Sequence, residues 1–261
     1  MIRPDIRLLD VGGTFIKCED GRQIPIPSGG SREEIAAALK VAVGPVSSLN
    51  GVGVSIPGPF DYRNGIFRMK HKFAAVFGES FREIAGLPSG LPVKYMHDVN
   101  APLLGAVRML GLSGVNVALV TLGTGLGFSY AVRGSVQMKE DGSPMLGLWN
   151  RPWNGGILED RISARGIVAA YGEEPSSAFT VAQNAFAGDS GACRVYEETG
   201  AILGQVLKPL ADEIRLDVLL MGGQVSKSLE LMLDPLRQAL HGMKILPAPE
   251  GAVFEGLESL F

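Results

Sequence analysis

The chain has 261 residues and a net charge of −3, with 46% hydrophobic and 20% charged residues. That is the balance of a globular enzyme with one large domain or two lobes, and it offers no basic surface for nucleic acid or an anionic membrane. Two cysteines exclude a disulfide framework and a cysteine-built zinc site, whereas 35 glycines are nearly twice the usual share of about 7%.

The glycines sit in discrete turns between apolar runs. Ile6–Leu9 and Phe15–Cys18 read as strands flanking Asp10-Val11-Gly12-Gly13-Thr14. Charged Asp5 and Asp10 come too early for a signal peptide, and the expected location is the cytoplasm. Ser31 and Glu34 form a capping box that opens a helix to about Val43. A strand follows over Leu49–Ile56 and ends in the rigid loop Pro57-Gly58-Pro59. Gly65 to Phe67 reads as a short strand, Val93–His97 as another, and Asn100 to Leu110 as a helix with Leu103, Leu104, Val107 and Leu110 at helical spacing. Val115 to Val132 is uncharged, but its polar residues and glycines predict a hairpin, 117–122 and 128–132, around Gly123-Thr124-Gly125 rather than a membrane span.

Beyond Gly156 the pattern is mostly helical, over 158–171, 178–187, 194–214 and 226–241, interrupted by one buried strand at 217–221. Gly200 and Gly204 permit close contact between the longest helix and a neighbour, and Pro209 predicts a kink in it. Two strand–glycine turn–strand units, each followed by helices, suggest duplication of one α/β motif.

The glycine turns carry chemistry. A carboxylate at a strand end beside bare backbone N–H groups suits phosphates and a hydrated divalent cation. Asp98 lies between a strand and a helix, where a carboxylate can project and accept a hydroxyl proton, although Asp98 or Asn100 can equally cap the helix. Gly222-Gly223 alone reads as a strand-to-helix turn with Ser226 as N-cap.

Five segments stand in order: Asp10-Val11-Gly12-Gly13-Thr14, Ser55-Ile56-Pro57-Gly58-Pro59, His97-Asp98-Val99-Asn100-Ala101, Leu122-Gly123-Thr124-Gly125-Leu126-Gly127 and Met221-Gly222-Gly223-Gln224-Val225-Ser226. This series resembles the ROK family of bacterial sugar kinases, within the hexokinase–actin–Hsp70 superfamily. The resemblance implies an α/β, two-lobed actin/hexokinase-like fold (a duplicated ribonuclease H-like fold) with an interlobe cleft. The expected lobes are 1–112, completed by 250–261, and 113–249.

It further implies ATP-dependent phosphorylation of a hexose or hexose derivative, with Asp98 as general base and lobes that close on the sugar. Asp10, Gly12, Gly13 and Thr14 would meet the γ-phosphate side of ATP, with Asp10 near Mg²⁺ through water. Gly123, Thr124 and Gly125 would hold the other phosphates, and Gly222 and Gly223 would lie against adenosine. Pro57, Gly58, His97, Asn100 and Glu159 are the expected sugar contacts, with His71 and Lys72 in a region where relatives place others. The expected partners are the sugar and ATP, with no nucleic acid and no membrane; a homodimer is left open. The family's sugar-responsive repressors carry a DNA-binding segment before the first glycine motif, where only nine residues precede Asp10 here.

The chain also departs from the family pattern. The Glu-Ile-Gly-His segment becomes Met145-Leu146-Gly147-Leu148, and the zinc-cysteine run becomes Trp153-Asn154-Gly155-Gly156-Ile157-Leu158-Glu159. Every zinc ligand is missing, so no zinc is expected, and His97 replaces an asparagine. Trp149 and Trp153 read either as stacking surfaces for a sugar, with Arg151 and Asn154 as polar partners, or as filling for the lost zinc loop. A catalytically inactive sugar-binding relative, or a kinase of another small hydroxylated metabolite, are the alternatives these changes raise.

Overall fold

In the computed structural model, which describes residues 3–172 and 177–261, the chain opens with β1 (Ile6–Val11), β2 (Phe15–Cys18) and β3 (Gln23–Pro25). The first turn joins β1 to β2 as an antiparallel pair, Asp10 facing Lys17 across the ladder. Helix α1 (Arg32–Val43) starts at the predicted capping box: Ser31 accepts from the Glu34 N–H, and the Glu34 carboxylate accepts from the Ser31 N–H. Next come β4 (Gly51–Ile56), a small hairpin of β5 (Phe60–Asp61) and β6 (Ile66–Phe67), α2 (Phe81–Ile84), β7 (Val93–His97) and α3 (Asn100–Met109).

These strands form a five-stranded sheet of order β3-β2-β1-β4-β7. β4 is buried along its whole length, and its apolar Val52, Val54 and Ile56 sit between parallel neighbours, as a central strand requires. The unit containing this sheet comprises Met1–Gly111, Val136–Met145 and Pro249–Phe261.

The C-terminal segment enters that unit as a helix, Ala252–Glu258, against α3. A side chain on Gly105 would begin 1.7 Å from the Ala252 carbonyl oxygen, and one on Gly256 would begin 2.0 Å from that of Ala101. The two backbones therefore touch, and only glycine fits at either position.

The second unit comprises Leu112–Ser135 and Leu146–Ala248. It contains β8 (Val117–Leu122), β9 (Leu126–Val132), the start of β10 (Ser135–Val136) at Ser135, the small hairpin of β11 (Pro152–Trp153) and β12 (Gly156–Ile157), and α4 (Leu158–Ile162). α5 (Ala164–Tyr171), α6 (Ala178–Phe186), α7 (Ser190–Ile214), β13 (Val218–Gly222), a 3₁₀ segment (Val225–Met232), α8 (Leu233–Ala239) and β14 (Lys244–Pro247) follow.

Its sheet has the order β10-β9-β8-β13-β14. β8 pairs antiparallel with β9 and parallel with β13, and β13 pairs parallel with β14. β1, β2, β4 and β7 pair in the same senses, so the duplication suggested by the sequence is present as a repeated topology. Its core gathers Val120, Leu122, Phe128, Ile167, Tyr196, Leu203 and Leu219. Among the described residues no helix is long and apolar enough to cross a membrane.

Three helical expectations change. The helix expected over 158–171 breaks at Ser163, which is extended, because the Ala164 N–H turns away to donate to the Gly123 carbonyl at 2.8 Å. The one expected over 226–241 divides into the 3₁₀ segment and α8; Pro235 lacks the N–H, and its ring clashes with a helical carbonyl four residues back. α7 starts earlier than 194, because Asp189 caps it through the Ala192 N–H, and it continues through Pro209. Gly200 and Gly204 do admit a close neighbour, with Cβ positions 2.5 Å from the Met232 oxygen and 2.6 Å from Ala239 Cβ.

The helix contact at Gly105 yields a direct test. Gly105→Ala should lower unfolding stability by roughly 3 kcal/mol or prevent folding, as overpacking against backbone does. Gly90→Ala, where a Cβ meets nothing within 4 Å, should shift it by less than about 0.5 kcal/mol. Urea unfolding of both variants measures the contrast.

Candidate functional site

Parallel register assembles the first group of predicted residues. Asp10 pairs with Ser55 across β1 and β4, and Ile56 pairs with His97 across β4 and β7. The carboxyl ends of three adjacent strands therefore present Asp10, Ser55 and His97-Asp98 along one edge, where open α/β sheets place their ligands.

Asp10 Oδ1 accepts from the Ser55 hydroxyl at 2.9 Å. Burial pushes the Asp10 carboxyl above its usual range and the Asp98 charge adds to this, while the Ser55 bond and Lys17 pull the other way. A carboxylate paired with a hydroxyl and facing a second carboxylate is a good place for a cation. The residues present fit a magnesium ion in their charge and oxygen chemistry.

Asp98 follows β7 directly and stays 40% exposed, while the neighbouring His97 side chain is 18% exposed. His97 Nδ1 lies 2.8 Å from Asp98 Oδ1 and 3.3 Å from the Val99 nitrogen. The Val99 N–H donates to Nδ1, and the Asp98 carboxylate approaches the same nitrogen, a contact that is an ion pair when the imidazole is protonated. The Pro57-Gly58-Pro59 loop abuts the same imidazole: a Gly58 Cβ would begin 3.4 Å from His97 Nε2 and equally near the Tyr62 hydroxyl. That hydroxyl donates to the Ile56 carbonyl at 3.1 Å, and burial raises the phenol's pKa. Tyr62, which the sequence reading passed over, thus fixes the loop; aromatic residues beside the strand are its only sequence signal.

Asn100 is fully buried, and its amide donates to the Gly142 carbonyl at 3.2 Å. Neither Asp98 nor Asn100 is the helix cap; Val99 holds that position, without a side-chain bond. Gly12, Gly13 and Thr14 form the turn itself, closed by the Gly12 N–H on the Phe15 carbonyl at 2.9 Å.

The second unit gathers another group. Gly222 pairs with Thr121 across β13 and β8, and a Cβ on Gly223 would begin 2.3 Å from the Leu122 oxygen, at a φ of +84°. The turns at Gly123-Thr124-Gly125 and Gly222-Gly223 are therefore in contact, and Gly223 is required twice over, by conformation and by space. Ser226 does not cap a helix; its hydroxyl donates to the Gly222 carbonyl, and Gln224 occupies the cap position.

Glu159 Oε2 accepts from the Leu126 N–H at 2.9 Å, and Oε1 pairs with Arg165 at 3.1 Å. Each Glu159 oxygen thus has one partner within the chain. Trp153 packs on the unit's core, and Trp149 is half exposed. Cys18 is buried and donates to the Ala42 carbonyl; Cys193 donates to that of Ala185. Among the described residues no three His, Cys, Asp or Glu side chains are gathered as metal ligands.

No family model matches the chain, and neither does any curated protein. Solved structures do. A ROK hexokinase from Thermus thermophilus matches over 97% of this chain and 95% of its own, with a TM-score of 0.72 and 26% identity. A ROK glucokinase from Streptomyces griseus, in complex with glucose and AMPPNP, matches over 97% of both chains at TM-score 0.77 and 23% identity. A ROK transcriptional regulator, a homolog of the E. coli MLC protein, matches 98% of this chain and 81% of its own at TM-score 0.75 and 16% identity. The chain has the actin-like fold of the ROK sugar kinases, and its structural neighbours are predominantly kinases of that family.

The raised pKa of the Asp10 carboxyl predicts a trade-off. Asp10→Asn keeps an acceptor for Ser55 and removes a charge that burial disfavours, so the ligand-free variant should melt a few degrees higher at neutral pH. The sign follows from linkage: an acid whose folded pKa is raised costs stability once pH exceeds its unfolded value. The advantage over wild type should therefore vanish in acid, which differential scanning calorimetry across pH will show.

Proposed function

We propose that this chain phosphorylates a hexose or hexose derivative with Mg-ATP, using Asp98 as general base. The observation that carries the reading is the edge of three parallel strands that brings Asp10, Ser55 and His97-Asp98 together beside the first glycine turn. The structural neighbours, a ROK hexokinase and a ROK glucokinase among them, support it.

In the reaction the sugar hydroxyl oxygen forms a bond to the γ-phosphorus as the bond from phosphorus to the ADP oxygen breaks. Asp98 takes the hydroxyl proton, with the His97 imidazole beside its carboxylate. Mg²⁺, when bound near Asp10 through water, would offset phosphate charge. Gly12, Gly13 and Thr14 offer backbone N–H groups to the γ-phosphate. Gly123, Thr124 and Gly125 offer theirs to the other phosphates, with Gly222 and Gly223 toward adenosine. Pro57 and Gly58, anchored at His97, face the sugar. Glu159 braces the second turn through Leu126.

Asp98→Asn should reduce turnover by about 100- to 10,000-fold while Mg-ADP binding stays within twofold. Steady-state kinetics and calorimetric titration test this together. The substrate itself is found by a thermal-shift screen of hexoses, amino sugars and N-acetyl sugars with Mg-ADP, since a bound ligand raises the melting temperature. Glu159→Gln should raise the KM for ATP several-fold and leave the sugar KM within twofold; the opposite pattern would make Glu159 a sugar contact.

A further inference from the structure

Lys72 is a half-buried lysine whose side chain lies over the first glycine turn. A Cβ on Gly13 would begin 3.4 Å from Lys72 Cε and 3.5 Å from its Nζ. Among the described residues no carboxylate pairs with this ammonium. The Gly13 and Thr14 N–H groups beneath it likewise find no protein acceptor among those residues. A half-buried cation above unpaired backbone donors makes a region of positive potential that suits an anion.

The placement is built by its surroundings. Phe73 is fully buried at a φ of +54°, a left-handed conformation that a bulky residue rarely adopts. Its ring lies 5.5 Å from that of Phe67, and its N–H donates to the Ser28 carbonyl at 2.6 Å. Ser28 in turn donates from its hydroxyl to the Gly13 carbonyl, also at 2.6 Å. One residue thus ties the Lys72–Phe73 bend to the glycine turn. Nearby Lys70 is turned elsewhere, its ammonium 5.4 Å from the centre of the Phe77 ring.

We propose that Lys72 is a catalytic residue of the phosphoryl transfer, its ammonium contacting the terminal phosphate of the nucleoside triphosphate above Gly13. This rests on the kinase reading. The group neutralises charge on the equatorial oxygens as the γ-phosphoryl leaves ADP, and it takes no proton. A sugar contact would not require unpaired backbone donors beneath the cation, whereas a terminal phosphate satisfies both at once.

Wild type, Lys72→Met and Lys72→Arg are titrated calorimetrically with Mg-AMPPNP and with Mg-ADP, and assayed on whichever hexose the wild type phosphorylates. Lys72→Met should weaken Mg-AMPPNP at least about tenfold, leave Mg-ADP within twofold and lower kcat by roughly 100- to 1,000-fold, the usual loss on removing one oxyanion donor. Lys72→Arg should recover part of both. Unchanged AMPPNP affinity in Lys72→Met, or a rise confined to the sugar KM, overturns the assignment. A wild type that binds AMPPNP but phosphorylates no hexose fails the hexose reading alone, and Lys72 is then judged on its AMPPNP-to-ADP discrimination. A wild type that binds neither nucleotide overturns both.

Discussion

The half-buried Asp10 carboxylate at the end of β1 is the constraint around which the carboxyl edge of the first sheet is arranged. Its environment raises its pKa, and only the Ser55 hydroxyl and Lys17 act in the stabilising direction. A fold that keeps such a group accepts a local cost, which is characteristic of sites rather than cores. The same parallel ladder that creates the cost also delivers His97 and Asp98 to the neighbouring strand end, so burial and site assembly have one geometric origin.

Glycine supplies the complementary constraint, through positive φ at open turns and through space at close contacts. Gly105 and Gly256 allow two helix backbones to touch, and Gly223 allows one turn to rest on the carbonyl of another. In each case a single methyl would displace backbone, which cannot yield as a side-chain tip can. The high glycine content of the chain therefore reflects both close backbone approach and left-handed turn positions. At Gly13 the neighbouring group is instead the flexible end of the Lys72 side chain, which can yield.

Two of the side chains that the sequence marks as site candidates are held by contacts within the chain. His97 Nδ1 lies 2.8 Å from Asp98 Oδ1, and Glu159 Oε2 accepts from the Leu126 N–H. Each contact limits the positions its carboxylate can take, so these groups are placed by the fold before any ligand arrives.

Local signals were legible in the sequence. The Ser31–Glu34 capping box fixed the start of α1, the glycine-turned hairpins were visible at both copies, and five ordered motifs pointed to the fold. These succeed because caps, turns and strand alternation are decided by a few adjacent residues. Tertiary structure decided what depends on partners far along the chain. Ser163 interrupts a continuous helical pattern because the Ala164 N–H is needed by the Gly123 carbonyl, 41 residues away in sequence. Asn100, readable as a cap, is buried against Gly142, and Glu159, readable as an open acceptor, is taken up by a turn. Lys72 is one lysine in a basic stretch until the fold lays it over Gly13. A sequence specifies which groups can bond, but the choice among competing partners is made by the packing that brings one of them within about 3 Å.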